Sequence, residues 1–387
     1  MEFGITDEQI DIRNAVREFV KKEILPYADE WDKQETFPYS TVKAMGQLGI
    51  FGCCLPEEYC GNNTGFLSQM IITEEIARGS SSLRVLVNTQ ALGTALTINK
   101  HGTKEQKEKY IHKLITAEYL GCFAITEPNV GSDIMSMETT AEEKDDHFLL
   151  NGTKTWISQA SLADVMLVYA YTDKSAKSKG MSAFLLEPKG LQGVNIEKID
   201  KLGTKLLPTC EVSFSDVKIP KENLLGKLGE GSSIVFSSLC QTRLSAAAGG
   251  VGVAQACLDV ATQYATKERK QFGKQIGEFQ MVQDIIAKMV IEIETAKLMV
   301  YKAAWQKDHG KIHNDLEVAE AKYLAGETAV HCADGAMRIF SAYGYSTEYA
   351  ISRYLRDAYA YPLVEGTSNI CKWITAMDHL GYRKANK

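Results

Sequence analysis

The sequence lacks several features that would assign it to a class of protein. Its nine cysteines form no Cys-x-x-Cys pair, and their odd number fits reduced thiols better than a disulfide framework. It also lacks a basic excess: 43 Lys and Arg against 49 Asp and Glu give a net charge of -6, which provides no electrostatic footprint for a nucleic-acid backbone. We therefore expect a cytoplasmic protein without a polynucleotide partner.

Targeting and membrane-spanning patterns are absent as well. The first residues, Met-Glu-Phe-Gly-Ile-Thr-Asp-Glu, have neither the basic start nor the apolar run of a signal sequence. No uninterrupted apolar stretch approaches the roughly 20 residues of a membrane span. His309 and His313 have metal-ligand spacing, but Gly310 and polar neighbours favour a helix end there. We predict no membrane span and no metal site.

Patterns along the 387 residues divide the chain into three parts. Capping boxes at Thr6 to Gln9 and Thr103 to Gln106 begin helices, and residues 1–120 are predicted to be mainly helical. Short apolar runs with Pro and Gly loops then predict a compact β domain over 121–230. Helical spacing returns over 231–387, which predicts a C-terminal bundle.

Two stretches make sharper structural predictions. Asn151-Gly152 between apolar runs predicts a two-residue hairpin turn, because this pair accommodates positive φ angles. The small residues of Ala246 to Gly252 would let neighbouring helices approach closely. Apolar positions from Val282 to Ala303 recur every three or four residues, as in a bundle helix. Further strands are predicted at Val165 to Tyr171, Met181 to Leu186 and Val212 to Ile219.

The segment from Tyr359 to Lys372 contains the strongest catalytic candidate. It reads Tyr-Ala-Tyr-Pro-Leu-Val-Glu-Gly-Thr-Ser-Asn-Ile-Cys-Lys. Glu365 lies between an apolar neighbour, Val364, and a flexible one, Gly366, a setting that suits a general base. On residue type alone, a carboxylate in the first turn of a helix, where it offsets the macrodipole, is an open alternative.

Several motifs together resemble the acyl-CoA dehydrogenase family. Glu365-Gly-Thr-Ser-Asn, close to the carboxyl end, is similar to the catalytic-base segment of that family. Thr126-Glu-Pro followed by Gly131-Ser-Asp, and then Asn151-Gly-Thr-Lys-Thr-Trp-Ile-Ser, is similar to its flavin-binding segments in order and spacing. Each piece alone is typical of an ordinary β-domain loop or a core tryptophan. Their combination carries the resemblance, which extends over essentially the full chain.

The resemblance implies an α+β fold of the acyl-CoA dehydrogenase type. It has an N-terminal helical domain, a middle β-barrel or sandwich domain and a C-terminal four-helix bundle. It further implies an oxidoreductase that uses FAD to introduce an α,β double bond into an acyl-CoA thioester, with Glu365 as the base. A homotetramer, an electron-transferring flavoprotein as electron acceptor, and a role in fatty acid or aromatic degradation or anaerobic metabolism are implied too.

The resemblance also implies a set of cofactor-binding residues. Those expected around the isoalloxazine ring are Phe123, Ile125, Thr126, Gly131, Ser132, Trp156, Ile157 and Ser158. A second group matches either a clamp that in relatives reaches the FAD of a neighbouring subunit or other FAD contacts. Its members are Arg269, Gln271, Phe272, Gln280, Arg338, Ala342, Thr367 and Asn369. Relatives often carry Gln and Gly-Gly-Asn-Gly around 338–344, whereas this chain reads Arg-Ile-Phe-Ser-Ala-Tyr-Gly. Taken singly, each arginine is typical of a solvated helix face.

The expected substrate-binding residues are Arg84, Val85, Thr89, Ser132, Arg243 and Gly366, with Asn88 and Gln90 also expected to line the acyl pocket. Arg84 matches the arginine with which glutaryl-CoA dehydrogenases grip the distal carboxylate. The decarboxylating enzymes have an acidic residue seven positions earlier and a tyrosine just before the base. This chain has Ala77 and Val364 there, a pattern similar to the non-decarboxylating glutaryl-CoA dehydrogenases.

Other interpretations stay open from the sequence. Arg84 could be an exposed helix arginine, and the enzyme could be a decarboxylating glutaryl-CoA dehydrogenase. The substrate could instead be another carboxylated, cyclic or aromatic thioester of the cyclohexanecarboxyl-CoA or benzylsuccinyl-CoA type. An acyl-CoA oxidase, and a helical scaffold that has lost FAD, are the alternatives from other classes.

Overall fold

The computed structural model describes residues 5–386. The first region is helical, as predicted, and both capping boxes are confirmed: the hydroxyls of Thr6 and Thr103 accept the backbone N–H groups of Gln9 and Gln106, whose side chains bond back. The helices are α1 Asp7–Phe19, α2 Ala28–Gln34, α3 Tyr39–Gln47, α4 Gly65–Gly79, α5 Ser81–Val87, α6 Leu96–His101 and α7 Lys104–Ile115, with π-helical stretches at Val20–Ile24 and Asn88–Ala95.

The second region is a β-sheet. Its strands are β1 Gly121–Ala124, β2 Thr140–Glu143, β3 His147–Ser158, β4 Val165–Tyr171, β5 Met181–Leu186, β6 Val194–Lys198, β7 Thr209–Pro220 and β8 Leu224–Leu225. The strand order is β6-β7-β3-β2-β4-β5-β8, and β1 pairs in parallel with β4. Every residue of β4 and β5 is buried, which confirms the predicted apolar strands. One side of β4 packs inside the β region and the other packs on the helices.

The predicted hairpin turn at Asn151-Gly152 is wrong. β3 runs straight through both residues, and the chain turns earlier, at Lys144 to Asp146, where the Lys144 N–H donates to His147. The glycine is needed for a different reason, because a Cβ on Gly152 would lie 2.5 Å from the Thr139 hydroxyl. It therefore allows close strand packing rather than a turn.

The third region is again helical. Its helices are α8 Gly231–Gln263, α9 Gln280–Asp308, α10 Asp315–Phe340, α11 Ile351–Ala358 and α12 Ser368–His379, and a short hairpin pairs β9 Lys270–Gln271 with β10 Lys274–Gln275. The predicted apolar face of α9 is confirmed at Met289, Ile293, Ala296, Val300 and Ala303, which are buried. His309 caps the end of α9, as the helix-end interpretation predicted.

Helix α8 lies at the centre of the helical packing. A Cβ on Gly252 would lie 2.2 Å from the Glu74 carbonyl of α4, and one on Gly250 would lie 2.7 Å from the Ala325 carbonyl of α10. The small-residue tract therefore lets three helices meet, as predicted. The helical run Gly231–Glu268 is long and apolar enough to cross a membrane, yet 78% of its most apolar 18-residue stretch is buried inside the protein. Its apolar residues thus form helix contacts.

Candidate active site

Glu365 lies in the loop between α11 and α12. Its φ angle is 56° and that of Gly366 is 89°, so two successive residues have left-handed backbone conformations. Such a conformation costs a non-glycine residue on the order of 1 to 3 kcal/mol and persists only where neighbours hold it. Helix α12 begins at Ser368, with Thr367 as its N-cap, so the alternative placing of Glu365 in the first turn of a helix is wrong.

The Glu365 carboxylate is held by two neutral donors from different helices. The Asn88 amide donates to Oε1 at 2.9 Å, and the Thr242 hydroxyl donates to Oε2 at 2.6 Å. Its side chain is only partly buried. These neutral donors orient the carboxylate without the ion pair that a cationic donor would add. The candidate base is therefore held in one orientation and is not sealed inside the helical packing.

The backbone around Glu365 is also fixed. The Arg243 guanidinium donates through Nε to the Glu365 carbonyl at 2.8 Å. A Cβ on Gly366 would lie 3.2 Å from Arg243 Nη2, which, with the positive φ, explains the glycine. The N–H of Glu365 donates to no acceptor within residues 5–386. It is therefore available to a ligand oxygen.

Arg84 is one helical turn before Asn88. It is 1% exposed, so the interpretation as an exposed helix arginine is wrong. Its guanidinium lies 4.8 Å from the centre of the Tyr361 ring, and it donates no hydrogen bond to any residue in 5–386. A buried cation without a carboxylate partner is costly. The position therefore favours an anionic group supplied by a ligand.

The other expected pocket residues differ in what their side chains contact. The Thr89 hydroxyl donates to its own helix, to the Val85 carbonyl at 3.0 Å, and Val85 is half-buried. Gln90 does not line a pocket: its amide bonds the backbone of Leu114, Tyr119 and Gly121. That expectation is wrong, because these three bonds use the amide to join the first helical region to the sheet.

The structure brings the two predicted flavin segments together. The Thr155 N–H donates to the Thr126 carbonyl at 2.9 Å, which ties the loop after β1 to β3. A register shift in β3 places Trp156 at a φ of 60° with 57% of the residue exposed. Phe123 and Ile125 precede this contact, Ile157 and Ser158 follow it on β3, and Gly131 and Ser132 are exposed in the loop.

A buried ion pair supports the same contact. Lys154, 0% exposed, donates to Glu127 at 2.8 Å and to the Ile125 carbonyl at 3.2 Å. Glu127 also accepts the N–H groups of Glu138 and Thr139. Burial lowers the pKa of Lys154 to about 8, while the lysine charge and these donors hold the pKa of Glu127 below its usual value despite burial. The pair fixes both segments relative to each other.

The remaining predicted cofactor residues form a second group. No hydrogen bond or ion pair within residues 5–386 joins them to the β segments. Arg269 stacks on Tyr343, 5.4 Å from its ring centre, which places the β9–β10 hairpin beside the turn that holds Ala342. Phe272, at the hairpin tip, is 92% exposed. Gln271 lies in β9, Gln280 is the first residue of α9, and Arg338 pairs with Asp334 on the surface of α10.

Thr367 and Asn369 adjoin the candidate base, Glu365. The Thr367 hydroxyl accepts the Ile370 N–H at 3.3 Å as the cap of α12, and Asn369 is exposed in the first turn. Their placement beside Glu365 links the candidate base to the start of that helix.

Three regions of the chain match the domains of one family. Residues 6–118 match the acyl-CoA dehydrogenase N-terminal domain, 122–217 its middle domain and 229–380 its C-terminal domain. The chain belongs to the acyl-CoA dehydrogenase family. It is therefore an oxidoreductase with the fold implied by the resemblance.

Individual relatives are similar to this chain over nearly its whole length. The chain is 56% identical to the glutaryl-CoA dehydrogenase of Desulfococcus multivorans over the full length of both. It also resembles a solved glutaryl-coenzyme A dehydrogenase in complex with glutaryl-CoA, with a TM-score of 0.98, 56% identity, and coverage of 100% of this chain and 98% of the other. Butyryl-CoA dehydrogenase from Megasphaera elsdenii has a TM-score of 0.95 at 35% identity, over 98% and 100% of the two chains.

Two site residues were missed from the sequence. Thr242 directly precedes Arg243, and its role depends on a loop more than a hundred residues away. Lys322 lies on the buried stripe of α10 with Val318 and Ala325, and its amine donates to the Gly366 carbonyl. A lysine at helical spacing within an apolar face was the available signal for the second residue.

Proposed function

We propose that this acyl-CoA dehydrogenase oxidises glutaryl-CoA to glutaconyl-CoA without releasing carbon dioxide, using FAD. The observation that carries the proposal is Arg84, a buried guanidinium with no carboxylate partner within residues 5–386, one helical turn from the residue that holds Glu365. The 56% identity to a glutaryl-CoA dehydrogenase supports the same substrate.

The residues present fit a flavin. Trp156 exposes a broad aromatic face beside Thr126, and a Cβ on Gly131 would meet no atom within 4 Å, which leaves the loop backbone approachable. We propose that Phe123, Ile125, Thr126, Gly131, Ser132, Trp156, Ile157 and Ser158 hold the ring, with Thr367 and Asn369 next to it. When bound, FAD would accept the β-hydrogen as hydride.

The protein's own part of the reaction follows from the loop. Glu365 removes the α-proton with the carboxylate that Asn88 and Thr242 orient. The free N–H of Glu365 is available to the thioester carbonyl, where negative charge develops as the proton leaves. Arg243, at the Glu365 carbonyl, keeps that peptide in place. We propose that it also lies on the CoA side of the site.

The spacing of Arg84 and Asn88 suits a five-carbon dicarboxylate. Four helical residues rise roughly 6 Å, close to the length from the α-carbon of a glutaryl chain to its distal carboxylate plus one hydrogen bond. Arg84 would then bind that carboxylate while Glu365 meets the α-carbon. A simple alkyl chain would leave the guanidinium unpaired, which favours a dicarboxylic substrate.

The surroundings of Arg84 argue against a following decarboxylation. Ala77, 1% exposed, packs beside Gly252 on α8, one turn from where Arg84 packs beside Gly249. The nearest acids earlier on α4 are Glu74 and Glu75, and both already have partners: Lys297 and Tyr301 bind Glu74, and two arginines, Arg17 and Arg78, bind Glu75. An acid at position 77 would be able to help protonate the carbanion that decarboxylation leaves. With alanine there, we infer that glutaconyl-CoA is released intact.

The test is an anaerobic panel of CoA esters, followed by bleaching of the flavin absorbance. Glutaryl-CoA should bleach it faster than butyryl-CoA, cyclohexanecarboxyl-CoA or benzylsuccinyl-CoA. Glutaryl-CoA labelled in the distal carboxyl group should then give labelled glutaconyl-CoA. Labelled carbon dioxide forming at the rate of flavin bleaching would contradict the second half of the proposal, and no bleaching by glutaryl-CoA would contradict the first.

We further propose a homotetramer and an electron-transferring flavoprotein as acceptor. The fully exposed Phe272 at the β9–β10 tip supports contact with a second copy, because a 92% exposed aromatic side chain is costly in water. Arg269, Gln271, Gln280, Arg338 and Ala342 would then meet the partner's FAD. Light scattering of the purified holoenzyme tests the assembly, and reduction of an added electron-transferring flavoprotein tests the acceptor.

A further inference from the structure

Lys322 is a buried lysine with an unusual partner. It lies in the middle of α10 and is 1% exposed, between apolar neighbours at Val318 and Ala325. Its Nζ donates to the Gly366 carbonyl at 2.5 Å. No ion pair joins it to an acid within residues 5–386. Burying an ammonium group among apolar side chains costs free energy, and here the hydrogen bond to the Gly366 carbonyl offsets part of that cost.

The bond falls on the loop that carries the base. Glu365 and Gly366 are the two left-handed residues, and each of their carbonyls is bound by a cationic side chain, the first by Arg243 and the second by Lys322. The Cys371 thiol also approaches the Gly366 carbonyl at 3.7 Å. Rotation of either peptide would break one of these bonds. The two cations thus fix both ends of the strained turn.

From this geometry we infer that Lys322 is a positioning residue: its ammonium group clamps the Gly366 carbonyl, keeps Glu365 aimed at the substrate, and releases the turn when it loses its proton. The inference rests on the proposed function for its catalytic consequence. Its structural part, a local clamp on residues 359–372, is independent of the substrate.

The charged surroundings make the clamp sensitive to alkaline pH. Burial lowers the pKa of Lys322 to about 8, and Arg243 from α8 adds a like charge. The groups that act in the other direction are Cys371 from α12, Glu365 from the loop and Glu327 on α10 itself. The neutral amine donates more weakly to a carbonyl than the ammonium does. The turn should therefore loosen as the pH rises past about 8.

The first test compares Lys322→Met with Lys307→Met. Lys307 is the matched control, since it is 7% exposed and donates to a backbone carbonyl, that of Ile312, at 3.1 Å, but not to the loop of Glu365. Lys322→Met should retain FAD and slow flavin reduction by saturating glutaryl-CoA by roughly 10- to 100-fold, with little change in KM. Lys307→Met should lose comparable thermal stability and keep the rate.

The second test needs no turnover. Hydrogen exchange in 359–372 should speed up in Lys322→Met and not in Lys307→Met. In the unmodified holoenzyme, protection of the same peptide should fall above about pH 8, after correction for intrinsic exchange, and protection of the peptide around Ile312 should not. The pH series on the unmodified holoenzyme stands even where the variant does not fold.

The outcomes separate the two claims. If Lys322→Met reduces flavin at the unmodified rate, or if 359–372 keeps its protection in the variant and above about pH 8, the positioning role is overturned. If the unmodified enzyme oxidises no CoA ester but local exchange changes as described, the clamp stands and the proposed function fails. An equal loss of rate in both lysine variants would show that Lys322 stabilises the fold without a specific effect on Glu365.

Discussion

Replacing Arg84 should change which thioester the enzyme prefers. Arg84→Met removes the buried guanidinium while roughly keeping the length of the side chain. Because the guanidinium is 1% exposed, a glutaryl carboxylate placed there would be desolvated and left unpaired. Breaking a buried pair by removing one partner costs about 3 to 5 kcal/mol. We therefore expect kcat/KM for glutaryl-CoA to fall on the order of 10²- to 10³-fold or more.

Butyryl-CoA should not share this loss. In the unmodified enzyme its methyl end leaves the buried guanidinium unpaired, whereas methionine offers an apolar contact. Its kcat/KM should hold or rise. The assay is anaerobic flavin bleaching with both esters, after FAD content and melting temperature have been matched. Arg84→Lys, which keeps the charge but not the planar fork, should retain an intermediate preference for glutaryl-CoA.

Two results would refute this reasoning. Equal losses for both esters would show that Arg84 supports the fold, through the packing of its guanidinium on Tyr361, rather than substrate choice. An unchanged glutaryl preference in Arg84→Met would show that the distal carboxylate binds elsewhere.

Three further predictions concern the base, a buried acid and a strained turn. Glu365→Gln should retain FAD but lose flavin reduction by orders of magnitude, and normal turnover would remove it as the base. Burial raises the pKa of Asp357 to about 6, so folding stability from this group is highest below about pH 4 and declines as the pH rises to about 6. Asp357→Asn can still accept the Thr204 N–H. Its unfolding free energy relative to the unmodified protein, measured in denaturant titrations, should therefore rise by on the order of 1 to 2 kcal/mol from about pH 5 to about pH 8. A difference that does not change with pH would contradict this. Ser341 has φ 56° and ψ -133°, so Ser341→Gly should raise the unfolding free energy by roughly 1 kcal/mol, and a lower melting temperature would count against strain there.

Much of the fold was predictable because its signals are local. The capping boxes at Thr6 and Thr103 depend on residues three positions apart, and strands β4 and β5 are continuous apolar runs. The Asn151-Gly152 prediction failed because a glycine needed for packing against Thr139 carries the same local signal as a turn. The division at residues 1–120, 121–230 and 231–387, and the assignment of individual cofactor residues, stay predictions.

The site was predictable only in part, since local patterns do not show which groups meet. Glu365 and Arg84 stood out as residue types in particular settings. That Asn88 and Thr242 share the carboxylate, or that Gln90 joins the helices to the sheet, follows from segments far apart in the chain. Lys322 carries one local signal, its place on an apolar helix face, but its partner, the Gly366 carbonyl, lies 44 residues away in the sequence.

By itself, the sequence determined the order of helical and β regions and the resemblance to the family, and it predicted Glu365 as the base, because periodicity, capping and short motifs are properties of neighbouring residues. Tertiary structure alone decided that Arg84 is buried without a carboxylate, that Glu365 lies in a left-handed turn, and that two cations hold that turn. Burial and pairing depend on which distant surfaces come together when the helices close around α8, and no local pattern encodes them.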